Sequence, residues 1–298
     1  MKLKFFAYFS FTIACTVFAL YIHFPGRVAA KYIENNITNI NPAVKIKIEN
    51  LKPSFPPGIK AKSILINYRG RSVGTLTKFR SYFDLLTIFY GKIVESSFKT
   101  RGFDGIISGS VRVSKKKPFN INIKTGFQNL KFQNIIFDNS IKNCSISGKF
   151  NGNITANIKK GHIIKSKGKL NFSDLIFQFP DSLFFIKKYS FSTGKINFFV
   201  ENVENKDIIK IEQCVINGLQ ANIHLFGKIL VNSDFQQSSL NIKVKIILYP
   251  DFFINAANSI SVDLLKTGSD KAIVNLYMGG TIRNPVITMN QGNKQVKK

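Results

Sequence analysis

Few residues of this 298-residue chain are equipped for chemistry: three histidines, three cysteines and sixteen acidic residues. A metal centre needs His, Cys or carboxylates at ligand spacing, and acid–base work needs a carboxylate or histidine beside a second polar group. His23 and Cys15 fall inside an apolar N-terminal run. His162 follows Gly161 near a turn, with no ligand partner at suitable spacing. His224 shares strand parity with Asn222 and Lys228, which points it toward solvent. Cys144 keeps parity with Ile146 and Phe150, whereas Cys214 keeps parity with Lys210 and Glu212, so opposite facial character argues against a bridge between them. Asp251, Asp263 and Asp270 stand apart from any base pattern. Walker loops, nucleophile elbows and paired carboxylates are missing. No catalytic, cofactor or metal site is assigned, and the residue inventory argues against an enzyme.

Charge offers a different clue. Lys and Arg number 43 against 16 acids, a net charge of +27. Drift toward A/T-rich codons accounts for part of this, since the chain is also heavy in Asn, Ile and Phe. Most lysines are spread one per strand, as solubility and edge protection place them. The tight runs are Lys115-Lys116-Lys117 and the tail at 294–298, and no nucleic-acid-binding motif accompanies them. Nucleic acid is not expected as a partner. An anionic membrane surface fits better, each nearby basic residue contributing about 1 kcal/mol.

The elements that carry these residues are mostly strands. Val44, Ile46 and Ile48 alternate with Lys45, Lys47 and Glu49, and Ile121 and Ile123 alternate with Asn120, Asn122 and Lys124. Ala221, Ile223, Leu225, Ile229 and Val231 form one face, and Leu240, Ile242, Val244, Ile246 and Leu248 another. Period two predicts sheets with one apolar and one wet face, and the lack of regular crossover helices predicts antiparallel pairing. Gly-Lys-apolar triplets beginning at Gly91, Gly148, Gly168, Gly194 and Gly227 read as hairpin punctuation of a long meander. Helices are expected to be few: 27–40 up to Asn41-Pro42, a short one over Ser81–Tyr90, and one carrying Phe253, Ala257, Ile260 and Leu264.

The N-terminus differs in kind. Phe5 to Phe24 carries no charge and includes Phe9, Ile13, Val17 and Leu20. About 20 helical residues span about 30 Å, the thickness of a bilayer core. A cleaved signal peptide ending near Ala30 is the rival reading; the length of the run and Pro25-Gly26-Arg27 favour an uncleaved anchor. The expected organisation is an anchor over 1–26, a helical linker over 27–43, a β-rich domain over 44–290 with a sub-boundary near 140, and a basic tail over 291–298.

Four stretches in order add a resemblance: Asn50-Leu51-Lys52-Pro53-Ser54-Phe55-Pro56-Pro57-Gly58-Ile59-Lys60, Gly102-Phe103-Asp104-Gly105, Ser166-Lys167-Gly168-Lys169-Leu170-Asn171-Phe172-Ser173-Asp174-Leu175 and Gly280-Thr281-Ile282-Arg283-Asn284-Pro285-Val286-Ile287. With the single N-terminal anchor, the chain resembles the type II secretion system protein GspN family and, more loosely, AsmA-like anchored periplasmic β proteins. The resemblance implies a single-pass inner-membrane protein with its body in the periplasm and secretion-system proteins as partners. The AsmA-like side implies an elongated antiparallel sheet, curled into a trough or closed as a sandwich.

The apolar faces require a cover. A second sheet face would make them a protein core. Acyl chains of a phospholipid or other lipid would gain about 0.8 kcal/mol per buried CH₂. The residues expected to line that trough or core are Ile121, Ile123, Ile223, Leu225, Ile242, Val244 and Ile246. Three functions stand: a structural accessory of the secretion machinery, a lipid-binding or lipid-transfer module, and an envelope enzyme. The first follows from the resemblance, and the second is compatible with it. About 15 strands at about 4.8 Å would reach about 70 Å, which calls for partners if two membranes are to be bridged.

Overall fold

The computed structural model describes residues 8–289 apart from 10, 13–14, 17, 20, 117–118, 137–144, 160–161, 184–185, 204–205, 233, 251 and 253–271, with the backbone alone at 71, 133–136, 162, 179–183 and 186–187. Fifteen strands form one antiparallel sheet: β1 (Val44–Glu49), β2 (Lys52–Ser54), β3 (Gly58–Tyr68), β4 (Arg71–Phe83), β5 (Ile93–Gly102), β6 (Gly105–Ser114), β7 (Asn120–Ile136), β8 (Ser145–Lys159), β9 (His162–Leu183), β10 (Ile186–Val203), β11 (Lys206–Gly218), β12 (Ala221–Leu230), β13 (Ser239–Leu248), β14 (Ala272–Gly280) and β15 (Pro285–Met289). From β3 onward, neighbours in the sheet are neighbours in the chain, and β1 and β2 both pair with β3. The sheet does not close; its terminal strands are β1 and β15. Mainly β, antiparallel and a meander is what the alternation predicts. The chain divides into two compact units, 1–110 and 111–298.

In unit 1, Tyr8, Phe9, Phe11, Thr12, Cys15, Thr16, Phe18, Ala19, Tyr21 and Ile22 are helical. Among the described residues no helix is long and apolar enough to cross a membrane. Phe9 is exposed and Phe24 half-buried; Phe5, Ile13, Val17 and Leu20, the other expected anchor residues, lie outside the described residues. Helix α1 (Gly26–Ile40), where a linker helix is expected, is separate from the helical residues before it, because His23–Pro25 interrupts the helix. Pro25 carries no N–H and restricts Phe24 before it. The stop at Asn41 is as expected, its N–H donating to the Ile37 carbonyl at 3.0 Å.

Helix α1 lies against the sheet through Ala30, buried with Leu51 and Ala61. Glu34 on the same helix accepts from the Ile48 N–H at 2.6 Å, satisfying a donor on terminal strand β1. The second helix, α2 (Leu85–Phe89), is shorter than the Ser81–Tyr90 expectation, since Ser81–Phe83 still pair with β5. Asp84 sets its start by accepting from the Leu86 N–H at 3.0 Å, an N-cap that ends the strand and opens the helix.

Unit 2 corrects the reading of the glycines. Gly148, Gly168, Gly194 and Gly227 lie inside β8, β9, β10 and β12, not at hairpin turns. At Gly168 the reason is space: a Cβ there would sit 2.4 Å from the ring of Phe198, its cross-strand partner. The ring covers the glycine backbone and fills the gap that a missing side chain leaves in the sheet face. Gly91 alone of the five follows a helix and precedes a strand.

A bulge corrects the reading of Cys214. Between Ile211 and Cys214, β11 carries one more residue than β12, which pairs those two with Gly227 and Leu225. The extra residue reverses side-chain parity. Cys214 therefore joins Ile211 and Ile216 in the core instead of Lys210 and Glu212 on the wet face. Cys144, the expected helix over 253–264 and the tail at 291–298 lie outside the described residues.

Candidate apolar face

Pleat and register assemble the apolar residues of unit 2 into rows that cross the sheet. One row runs Leu130, Phe150, Phe172, Gly194, Ile216, Ile223, Ile246, Val274 from β7 to β14. The next runs Phe127, Gly152, Leu170, Ile196, Cys214, Leu225, Val244, Leu276. A third carries Ile154, Gly168, Phe198, Ile211, Gly227, Ile242 and Met278, and a fourth Ile123, Ala156, Ser166, Val200, Ile209, Ile229 and Leu240. Successive rows are two residues apart, or three across a bulge in β7 and β11, so all four occupy one side of the sheet. Six of the seven expected lining residues stand in these rows, and Ile121, two residues before Ile123 and paired with Ile158, shares their side.

Burial is uneven along this face. Leu175, Phe191, Cys214, Ile216, Ala221, Leu248, Phe252 and Ala272 form a buried cluster at one end, with Ile223, Leu225 and Ile246 packed against it. Ile242 and Val244 are also buried. Toward the other end, Ile121, Ile123, Val200, Ile209, Ile229 and Leu240 are only half-buried. The face thus has a sealed end and an end whose hydrocarbon meets water. Over β7–β9 it is paved with rings: Phe150 lies 5.7 Å from Phe127, 5.8 Å from Phe132 and 6.1 Å from Phe172 between centroids. Such spacings suit aromatic packing and leave a broad hydrocarbon surface.

Burial in hydrocarbon has an electrostatic signature. The Cys214 thiol is pushed up to about 11 by desolvation, and the Tyr189 phenol, beside the same cluster, to about 12 by the same cause. Cys214 carries no disulfide and stays a neutral thiol at physiological pH.

The opposite side is polar. The row Asn151, Asn171, Lys195, Val215, His224, Lys245, Asn275 crosses it. His224 is half-buried there, between Val215 and Lys245. Lys210 is ion-paired with Glu201 and lies 5.0 Å from the Phe199 ring centroid. Among the described residues no group of three His, Cys, Asp or Glu gathers to hold a metal.

Sequence reasoning found the alternating strands but missed the aromatic paving, because the Phe residues sit on different strands and only register brings them together. The signal was available in the spacing of Phe127, Phe132, Phe150 and Phe172 against Gly148, Gly152 and Gly168. No family model, curated protein or solved structure matches the chain.

Proposed function

We propose that this chain is a non-enzymatic protein tethered to the bacterial inner membrane by its N-terminal segment, with its β body in the periplasm, where the apolar face of unit 2 shelters acyl chains. The observation that carries the reading is the half-buried end of that face, where rows of Val, Ile and Leu end in water. A chain of about ten methylenes laid along them would gain about 8 kcal/mol, without needing any polar contact. The buried end around Phe252 gives such a chain a stop, so entry from the Ile209–Leu240 end is the favoured direction.

The accessory role in type II secretion is the second part of the reading, supported by the GspN-like stretches and by one structural feature. Among the described residues strand β15 borders β14 alone, and its Val286, Ile287 and Met289 are exposed. An apolar strand at a sheet edge is a template for strand addition by a partner.

Photo-crosslinking in the full-length protein tests the lipid reading. A photoreactive phenylalanine analogue in place of Phe198, on the apolar face, is expected to capture phosphate-labelled lipid in cells, and the same analogue at Lys195 on the polar face is not. Equal capture at both positions, or none at Phe198, refutes acyl binding. Recovery of secretion-system inner-membrane proteins with the tagged full chain tests the second part.

A further inference from the structure

We infer that one end of unit 1 is a membrane-docking surface for an anionic lipid bilayer, separate from the N-terminal anchor and resting on the membrane reading above. Two loops build its tip. The turn between β2 and β3 exposes Phe55 (88%), and α2 with the residue after it exposes Leu86 (72%), Phe89 (73%) and Tyr90 (88%). The loops belong to the same end of the sheet: Gly58 pairs with Tyr82, and the Phe83 N–H donates to the Pro57 carbonyl at 2.9 Å. Four large apolar side chains held out by a turn and a capped helix gain nothing from water.

Behind the tip lies a row of cations. Lys52 pairs with Lys60, Lys60 with Arg80, and Arg80 with Lys99, so four positive side chains cross β2–β5 in register. All four are exposed, and among the described residues none is ion-paired. Like charges directly opposite one another on a sheet destabilise it, so an external anion layer is the natural complement. Lys60 is two residues from Gly58, which sets the row about 7 Å behind the turn at about 3.3 Å per residue. Interfacial elements bury their apolar side about 5–10 Å below the headgroups, so the cations reach phosphate depth as the tip enters hydrocarbon. Two carboxylates stand at this tip: the exposed Asp84, engaged in capping the Leu86 N–H, and the half-buried Glu95, whose backbone bonds to Asp84 and Thr87.

The N-terminal helical residues meet this same end. Tyr21, Ile22 and Phe24 line a cavity of about 670 Å³ together with Lys52, Pro53 and Lys60. A segment that enters the bilayer beside the cation row brings the tip to the same surface, so the body has a second foothold that restricts its rotation about the anchor.

The chain has no Trp, so single tryptophans report position without background. Full-length F55W, F89W, Y68W and F11W variants are reconstituted in phosphatidylethanolamine–phosphatidylglycerol vesicles carrying brominated acyl chains. Tyr68, at the hairpin end of β3, is the control remote from the tip. F55W and F89W are expected to be quenched about two-fold more than Y68W, consistent with interfacial depth. Quenching of F11W while F55W and F89W match Y68W overturns the docking surface and leaves the anchor standing. Absence of quenching at all four overturns both, and quenching at the tip without F11W sustains the surface and overturns the anchor. A K60E/R80E variant is expected to lose the tip quenching in anionic vesicles; unchanged quenching overturns the role of the cation row.

Discussion

Replacing Leu225 by Gln separates an acyl-binding face from a closed protein core. Leu225 is half-buried, between Cys214 and Val244 in a row that crosses eight strands. The change replaces the two δ-methyl groups by a carboxamide, a loss of about 1.6 kcal/mol of contact with a bound chain at about 0.8 kcal/mol per CH₂. A carboxamide trapped under hydrocarbon adds about 1–2 kcal/mol of desolvation. The sum, about 2.5–3.5 kcal/mol, is a loss of about 100- to 400-fold in affinity. The lipid-free fold should lose only about 1 kcal/mol, since the side chain is already partly in water there and the glutamine amide can reach it. The assay is titration of the full-length protein in detergent with a fluorescent polyene fatty acid, paired with thermal unfolding. K195Q on the polar side serves as the control. Acyl affinity that is equal in L225Q and K195Q, together with a stability loss of several kcal/mol in L225Q alone, would show that the row is protein core and refute the reasoning.

Three other outcomes follow from the geometry. The folded-state pKa of Cys214, about 11 against an ordinary 9.0, means that its neutral thiol favours folding below pH 9 and that this contribution fades as pH rises through about 11; it amounts to about 2–3 kcal/mol. Thermal midpoints of C214A should therefore fall less than those of the wild type between pH 8 and 11, and parallel curves would refute the burial. Substituting Gly168 by Ala forces a Cβ to within 2.4 Å of the Phe198 ring; a cost of about 1–3 kcal/mol is expected, with relief in the G168A/F198A pair measured by a double-mutant cycle. At Gly26 a Cβ would lie 2.1 Å from the Leu51 carbonyl oxygen; G26A should detach α1 from the sheet and raise amide exchange at Ile48, whose N–H is held by Glu34.

Much of the architecture is legible in local patterns. Leu240 to Ile246 alternates without interruption, and β13 presents Leu240, Ile242, Val244, Ile246 and Leu248 on one side because pleating has a period of two and no bulge interrupts it. The same reasoning fails at Cys214, where a single added residue in β11 exchanges the two sides of the strand. It fails again at the Gly-Lys-apolar triplets, because a glycine preceding a strand and a glycine beneath a neighbouring ring look alike in one dimension. Helix α2 is shorter than the amphipathic spacing over Ser81–Tyr90 suggests, because Ser81–Phe83 are paired with β5.

The sequence by itself determined that this chain makes antiparallel strands with apolar and lysine-rich sides, since alternation is a property of neighbouring residues. Tertiary structure alone decided which residues stand together: the rows across β7–β14, the rings over the glycines, and the meeting of Phe55 with α2 at one end of unit 1. Those arrangements depend on register and bulges, which are set by hydrogen bonding between one strand and the next, where a shift of one residue moves a side chain from hydrocarbon to water.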